Sequence, residues 1–415
     1  MFENNERVQR ALLVGIDTGE YDAESSMNEL YELTESAGAE PVMSLIQKRD
    51  KPDGATCVGS GRIEEIKELC VQHEIDFLVF DTELTPTQIR NIETATDVRT
   101  IDRTMLILDI FAIRAKTNEG KLQVELAQLK YLMPRLSGKG KEMSRLGGGV
   151  GTRGPGETKL ETDRRHIRRR IEYLKESLEE MAGRRNRHRE RRKKTGVITV
   201  AIVGYTNAGK STLMNTLTQA GVLSENKLFA TLDPTSRALE LPSGVSVMLI
   251  DTVGLVRRLP HHLVEAFKST LEEAADADII LNVCDASSEE YRLHLDVTTS
   301  LLRELGCEDK PILPVYNKCD LVADQNDIPH ESGSIRISAK SGIGINALLK
   351  AVDDHLPVKL RHFRLLVPFD KASLIATLRN NGALRSEEYT AEGILCEALA
   401  EEPLWHLLTP FETKE

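Results

Sequence analysis

Apolar residues along this chain follow two spacings in turn. Short unbroken runs, Ala11-Leu-Leu-Val-Gly-Ile16 and Ile75-Asp-Phe-Leu-Val-Phe80, read as buried strands, and Val42 to Ile46 reads as another. Between them Met27, Leu30, Tyr31 and Ala37 recur at helical spacing, with Gly38 as the stop. Gly59-Ser-Gly-Arg62 turns into a helix with Ile63, Ile66 and Leu69 on one face, and Thr85 to Thr96 is a helix opened by Pro86. This alternation predicts a small α/β domain with a mostly parallel sheet over residues 1–108. Read from its residues, Gly59–Arg62 is a plain strand-to-helix turn, a fragment too short to mark a phosphate site.

The period then changes. Leu122, Leu126, Leu129, Met133 and Leu136 step by four and three, and so do Ile167, Ile171, Leu174, Leu178 and Met181. Two such stripes predict an antiparallel helical hairpin within residues 109–195. Its connection, Ser137 to Gly156, contains RLGGGVGTRGPG with Lys139, Lys141, Arg145 and Arg153. That tip suits a probe that orders on a phosphate-rich surface, and a linker without a partner is the alternative. Arginine clusters at Arg164–Arg170 and Arg184–Lys194 stand out in a chain of formal charge −11. With few aromatic residues nearby, shape and backbone recognition of structured RNA is favoured over stacking on unpaired bases.

Residues 196–356 carry the chemistry. The apolar run Val197–Val203 leads into Gly204, Tyr205, Thr206, Asn207, Ala208, Gly209, Lys210, Ser211 and Thr212, a phosphate loop of the form GxxxxGK(S/T). Its amides would curl around phosphates at a helix N-terminus, with Lys210 on the β- and γ-phosphates and the Ser211 hydroxyl on Mg²⁺. Phe229, Ala230, Thr231, Leu232 and Asp233 follow in a loop. A hydroxyl there joins Mg²⁺ when a γ-phosphate is present; Thr231 is the choice, with Thr235 and Ser236 as competitors. The strand Val245–Ile250 delivers Asp251, Thr252, Val253 and Gly254, in which Asp251 would hold Mg²⁺ through water and the Gly254 N–H would meet the γ-phosphate. Lys210, Thr231 and Gly254 are the expected catalytic residues.

Strands at Ile279–Cys284 and Pro311–Tyr316 precede Asn317, Lys318, Cys319 and Asp320. A buried carboxylate at Asp320 would accept from the ring N–H and amine of guanine, an edge that adenine lacks, so the expected nucleotides are GTP and GDP. Asn317 would support base and loop, and the Lys318 stem would pack on the base. A last strand, Ile335 to Lys340, brings Ser338, Ala339 and Lys340 to the site, with Ala339 backbone at the guanine oxygen. Leu255 stands where a water-orienting glutamine is common, so unaided hydrolysis should be slow. Asn207 could offer an oxygen to K⁺ beside the phosphates; the alternative is that it braces the loop.

The six cysteines show no metal-ligand spacing and read as reduced core residues, and no run is long enough to span a bilayer. A cytoplasmic monomer is expected. Residues 357–415 read as a small α+β domain without a motif.

With RLGGGVGTRGPGETKLETDRR (Arg145 to Arg165), GYTNAGKST, FATLDPTSR (Phe229 to Arg237), DTVG and NKCD in hand, the chain resembles the HflX family of translation-factor-related GTPases over nearly its full length. The resemblance implies an α/β fold in which a P-loop GTPase domain follows a small α/β domain and a helical hairpin and precedes the α+β tail. It also implies binding to the large ribosomal subunit and its RNA, action on stalled or idle ribosomes, and their splitting into subunits. ATP binding by the N-terminal region is implied too, although Arg62 stands where lysine is expected. The alternative role is a GTP-dependent switch in RNA modification or ribosome assembly.

Overall fold

The computed structural model describes residues 7–135, 155–194, 197–218, 228–229, 235–258, 273–324, 328, 333–357, 360–380 and 383–413. The chain forms two compact units. The first takes residues 1–187, 225–233 and 258–269, and the second takes 188–224, 234–257 and 270–415.

In the first unit the apolar runs become β1 (Arg10–Asp17), β2 (Glu40–Lys48) and β3 (Phe77–Phe80), with β4 (Arg99–Asp102) added. They pair in the order β2-β1-β3-β4, all parallel. The helices are α1 (Ala23–Ser36), α2 (Ser60–Gln72), α3 (Pro86–Thr96) and α4 (Arg103–Arg114). Leu12, Val14 and Ile16 of β1 pack with Ile63 and Ile66 of α2 and Ile92 of α3 in one core. Local chemistry sets the helix ends. Asp22 caps α1 through the Ser25 N–H, and Thr85 and Gln88 form a capping box at α3 with Pro86 in its first turn. Gly59–Arg62 forms the turn into α2: the Gly59 N–H donates to Gln47 at 2.9 Å, and Arg62 pairs with Glu65 at 2.6 Å.

Pattern reading passed over β4 and α4, and α4 runs through residue 108, where a domain boundary was expected. β4 is only four residues long, and α4 is apolar nearly all round, so neither shows a one-faced period. Asp102 joins them. Its carboxylate caps α4 through the Met105 N–H at 2.9 Å and also accepts from the Leu84 N–H and the Tyr131 hydroxyl.

The hairpin is built from α5 (Asn118–Arg135) and α6 (Pro155–Lys194). Leu126, Ile171 and Leu174 are its buried seam, flanked by Leu122, Leu129, Met133, Ile167 and Leu178. Arg170 grips both oxygens of Glu125 at 2.7 Å across it. The glycine-rich tip expected at 137–156 lies, but for its last two residues, outside the described residues.

The second unit holds a six-stranded sheet of β5 (Thr199–Gly204), β6 (Thr235–Glu240), β7 (Ser246–Asp251), β8 (Ile279–Asp285), β9 (Ile312–Asn317) and β10 (Ile335–Arg336). The order is β10-β9-β8-β5-β7-β6, parallel except for β6. The direction of winding reverses at β5, which opens a crevice at its carboxyl end, where such sheets bind ligands. The helices are α7 (Lys210–Thr218), α8 (Tyr291–Glu304) and α9 (Ile345–Asp354). The strand expected over 335–340 is two residues long, because Ser338 turns to bridge Ile343. The tail adds β11 (Leu360–Val367), α10 (Ser373–Asn380), β12 (Leu384–Tyr389), β13 (Ile394–Glu401) and α11 (Glu402–Leu408). Its sheet, β11-β13-β12, is antiparallel and has its own core around Phe363, Leu378 and Cys396.

All six cysteines are buried, and none is in a disulfide. Among the described residues no helix is long and apolar enough to cross a membrane, and no cluster of histidine, cysteine and carboxylate side chains could hold a metal.

Candidate active site

β5 ends at Gly204 and the chain curls back before α7 begins at Lys210. Two glycines make the curl possible. A Cβ on Gly204 would collide with the Val283 carbonyl of β8. Gly209 lies at φ +89°, in the left-handed region, with the Asn317 side chain against it. Asn207 is also left-handed, at φ +60°. Lys210 folds back over the loop, and its Nζ donates to the carbonyls of Gly204 and Tyr205 at 3.1 and 2.8 Å. Burial pushes its pKa down to about 8, against the opposing pull of Asp251.

Polyphosphate binding must therefore return a proton to part of the Lys210 population. Near pH 8 calorimetry of GDP binding, repeated in buffers of different ionisation enthalpy, should show uptake of about half a proton. Heats that do not depend on the buffer would contradict this.

At the carboxyl end of β7, Asp251 is fully buried and accepts from the Ser211 hydroxyl at 2.9 Å. A carboxylate and a hydroxyl this close at a phosphate loop are the hard oxygen donors that Mg²⁺ takes. The Thr252 hydroxyl donates to Ile202 at 2.7 Å and ties the following loop to β5. Leu255 then forms a short ladder with the phosphate loop: its N–H donates to Gly204 at 3.2 Å and its carbonyl accepts from Thr206 at 2.8 Å. Gly254 lies directly on that loop, for a Cβ there would stand 2.6 Å from the Thr206 methyl and 3.1 Å from Lys210 Nζ.

The base end is organised by Asn317. Its Nδ2 donates to the Ala208 carbonyl at 2.8 Å, and its Oδ1 accepts from the Ala339 N–H at 2.9 Å. One side chain thus ties the phosphate loop to the loop after β10. The expectation that Ala339 backbone is open to a guanine oxygen needs correction: its N–H goes to Asn317, and its carbonyl accepts from Thr216 at 2.6 Å. Lys318 is left-handed at φ +61° and pairs with Asp285 at 2.7 Å. Asp320, expected to be buried, is exposed, because it sits on a single 3₁₀ turn, Cys319–Leu321, at the rim. Cys319 and Ser338 are buried beneath, and Lys340 is exposed.

The structure thus brings Gly204–Thr212, Asp251–Gly254, Asn317–Asp320 and Ser338–Lys340 to the carboxyl ends of β5, β7, β9 and β10. Ala230, Thr231, Leu232 and Asp233 lie outside the described residues. Phe229 was expected at the nucleotide but is buried in the first unit, edge-on to Phe111 at 4.6 Å. An aromatic ring next to an apolar helix is drawn into its core. Motif reading missed Asp285, Tyr205 as a ring stacked on His294 at 3.9 Å, and Glu290, which accepts from both terminal guanidinium nitrogens of Arg257. The position of Asp285 at a strand's carboxyl end was the one available signal.

Three family models match in succession. They are described as GTP-binding GTPase N-terminal over residues 24–112, GTP-binding GTPase Middle Region over 114–192, and 50S ribosome-binding GTPase over 199–318. GTPase HflX of Lacrimispora saccharolytica is 49% identical over 402 residues, which covers 96% of this chain and 95% of that one. GTPase HflX of Caldanaerobacter subterraneus is 50% identical over 391 residues, covering 94% and 90%. Among solved structures, a GTP-binding protein from Sulfolobus solfataricus in complex with GDP is 26% identical, covers 83% of this chain and 97% of that one, and has a TM-score of 0.44. With half of its residues shared over nearly the whole length of two curated relatives, this chain belongs to the HflX family of GTPases.

Proposed function

We propose that this GTPase binds the large ribosomal subunit through its hairpin and acts on stalled or idle ribosomes, separating their subunits. The observation that carries this is the division of α6. Ile167, Ile171 and Leu174 face α5, while Arg165, Arg168 and Arg169 are exposed on the other side. Such a face suits RNA phosphates. The description of the matched GTPase family model, which names 50S binding, supports the same reading.

In this reading Lys210 neutralises the β- and γ-phosphates, the Gly254 N–H donates to the γ-phosphate, and Asp320 accepts from the guanine edge. Ser211 and Asp251, with Thr231, would hold Mg²⁺, which supplies positive charge to the phosphate oxygens when bound. Leu255 is apolar and 3% exposed, so it cannot orient the attacking water. Hydrolysis then depends on the ribosome and on K⁺ held by Asn207.

GTP turnover titrated with separated ribosomal subunits is the test. The large subunit should stimulate and the small should not, K⁺ should outperform Na⁺, and deletion of residues 147–156 should abolish the stimulation while nucleotide affinity stays the same. Equal response to both subunits, or full stimulation of the deletion, would refute the ribosomal reading. Equal rates in the two cations would refute the K⁺ reading.

A further inference from the structure

Thr206 sits in the phosphate loop between Tyr205 and Asn207 and is 5% exposed. Its N–H is committed to the Leu255 carbonyl at 2.8 Å. Its hydroxyl is the donor that remains. Among the described residues this oxygen is buried and has no hydrogen-bond partner. A hydroxyl has one donor and two acceptor positions, and one kept from water without a partner is unfavourable. Packing does not require it, since valine has the same shape and no polar atom. Native structures leave few buried polar groups unpaired, and each one left calls for a reason.

The surroundings supply one. Gly254 lies against Thr206 so closely that a Cβ on it would stand 2.6 Å from the Thr206 methyl and 3.0 Å from the Thr206 Cα. The same point is 3.1 Å from Lys210 Nζ. Thr206, Gly254 and Lys210 therefore converge, and the orphaned hydroxyl is two bonds from the methyl that makes the contact. Lys210 and Gly254 are the two groups assigned to the γ-phosphate. Lys210 is already turned over the loop, where it donates to the carbonyls of Gly204 and Tyr205 at 3.1 and 2.8 Å. The branched Cβ of threonine leaves the hydroxyl little freedom to swing elsewhere.

We propose that the Thr206 hydroxyl selects the triphosphate over the diphosphate by donating to a γ-phosphate oxygen. The proposal rests on the reading of Lys210 and the Gly254 N–H as γ-phosphate contacts. A γ-phosphate held by those two groups lies beside Thr206. Its oxygens are anionic, and an O–H bonds to such an acceptor more strongly than to a neutral one. GDP has no group to place there. The unpaired hydroxyl is equally unfavourable in the nucleotide-free and the GDP-bound chain, so it drops out of GDP affinity. GTP alone relieves it.

The experiment is equilibrium titration of the full chain with fluorescent GDP and with a non-hydrolysable GTP analogue, beside thermal melts without nucleotide. Thr206→Val should lower the analogue-to-GDP affinity ratio about tenfold, the lower end for a hydrogen bond to a charged group. Its nucleotide-free melt should lie at or above wild type, because no bond inside the protein is lost. Thr206→Ser keeps the hydroxyl and should hold the ratio within about threefold of wild type, the difference being its freer rotamer. A wild-type ratio in Thr206→Val overturns the proposal. An equal fall in both variants does the same, for it assigns the effect to the methyl. So does a lower nucleotide-free melt of Thr206→Val, which places the hydroxyl's partner inside the protein. Lys210→Gln, run alongside, separates the two readings. A weakened analogue there, with a wild-type ratio in Thr206→Val, overturns the role of the hydroxyl only; full analogue affinity in Lys210→Gln overturns the γ-phosphate reading beneath it.

Discussion

Asp320→Asn should lower GTP affinity by about a thousandfold and confer binding of xanthosine triphosphate. A carboxylate accepts two hydrogen bonds from guanine, and each charge-assisted bond is worth about 1.5–3 kcal/mol. The amide of asparagine turns a donor towards the guanine amine, so one bond becomes a repulsion. Xanthine carries an oxygen in place of that amine, and the amide can meet it. Discrimination of this kind arises because the wrong base leaves polar groups unpaired. Asp320 is exposed on its turn, so the substitution disturbs no packing in the protein. Competition titrations with guanosine, xanthosine and adenosine triphosphates check the result. Unchanged GTP affinity would show that guanine is read elsewhere.

Gly204→Ala is expected to abolish nucleotide binding by at least about a hundredfold and to destabilise the fold by about 1–3 kcal/mol or more. The added methyl would meet the backbone carbonyl of Val283 in the neighbouring central strand, which has no rotamer to change. Either β5 and β8 separate or the phosphate loop lifts away. Gly209→Ala should be harmful for a different reason. It meets only the side chain of Asn317, but it places an alanine at φ +89° and costs about 1 kcal/mol or more in backbone strain. Thermal melts read alongside GDP titrations separate the two effects. A Gly204→Ala protein with wild-type melting and affinity would mean that the close approach to β8 is not maintained.

Much of the architecture was legible because it is written in short spacings. The run Val197–Val203 followed by GxxxxGK(S/T) reads as a strand entering a phosphate loop, and β5 and α7 lie there. Five-residue stripes on two helices required a partner for each, and each helix is the other's partner. The strands at 245–250, 279–284 and 311–316 appear within a residue of their expected bounds. Where the period failed, so did the reading. α4 is apolar nearly all round, and the strand over 335–340 was cut short by a turn that its hydrophobicity did not announce.

By itself, then, the sequence determined most of the elements and marked the residues expected at phosphate and base, since those depend on neighbours three or four positions away. The tertiary structure alone decided how the site is braced. Asn317 reaches Ala208 across 109 residues. No local period encodes such a pair: the side chain at the end of β9 meets the phosphate loop only because the sheet sets β9, β8 and β5 side by side.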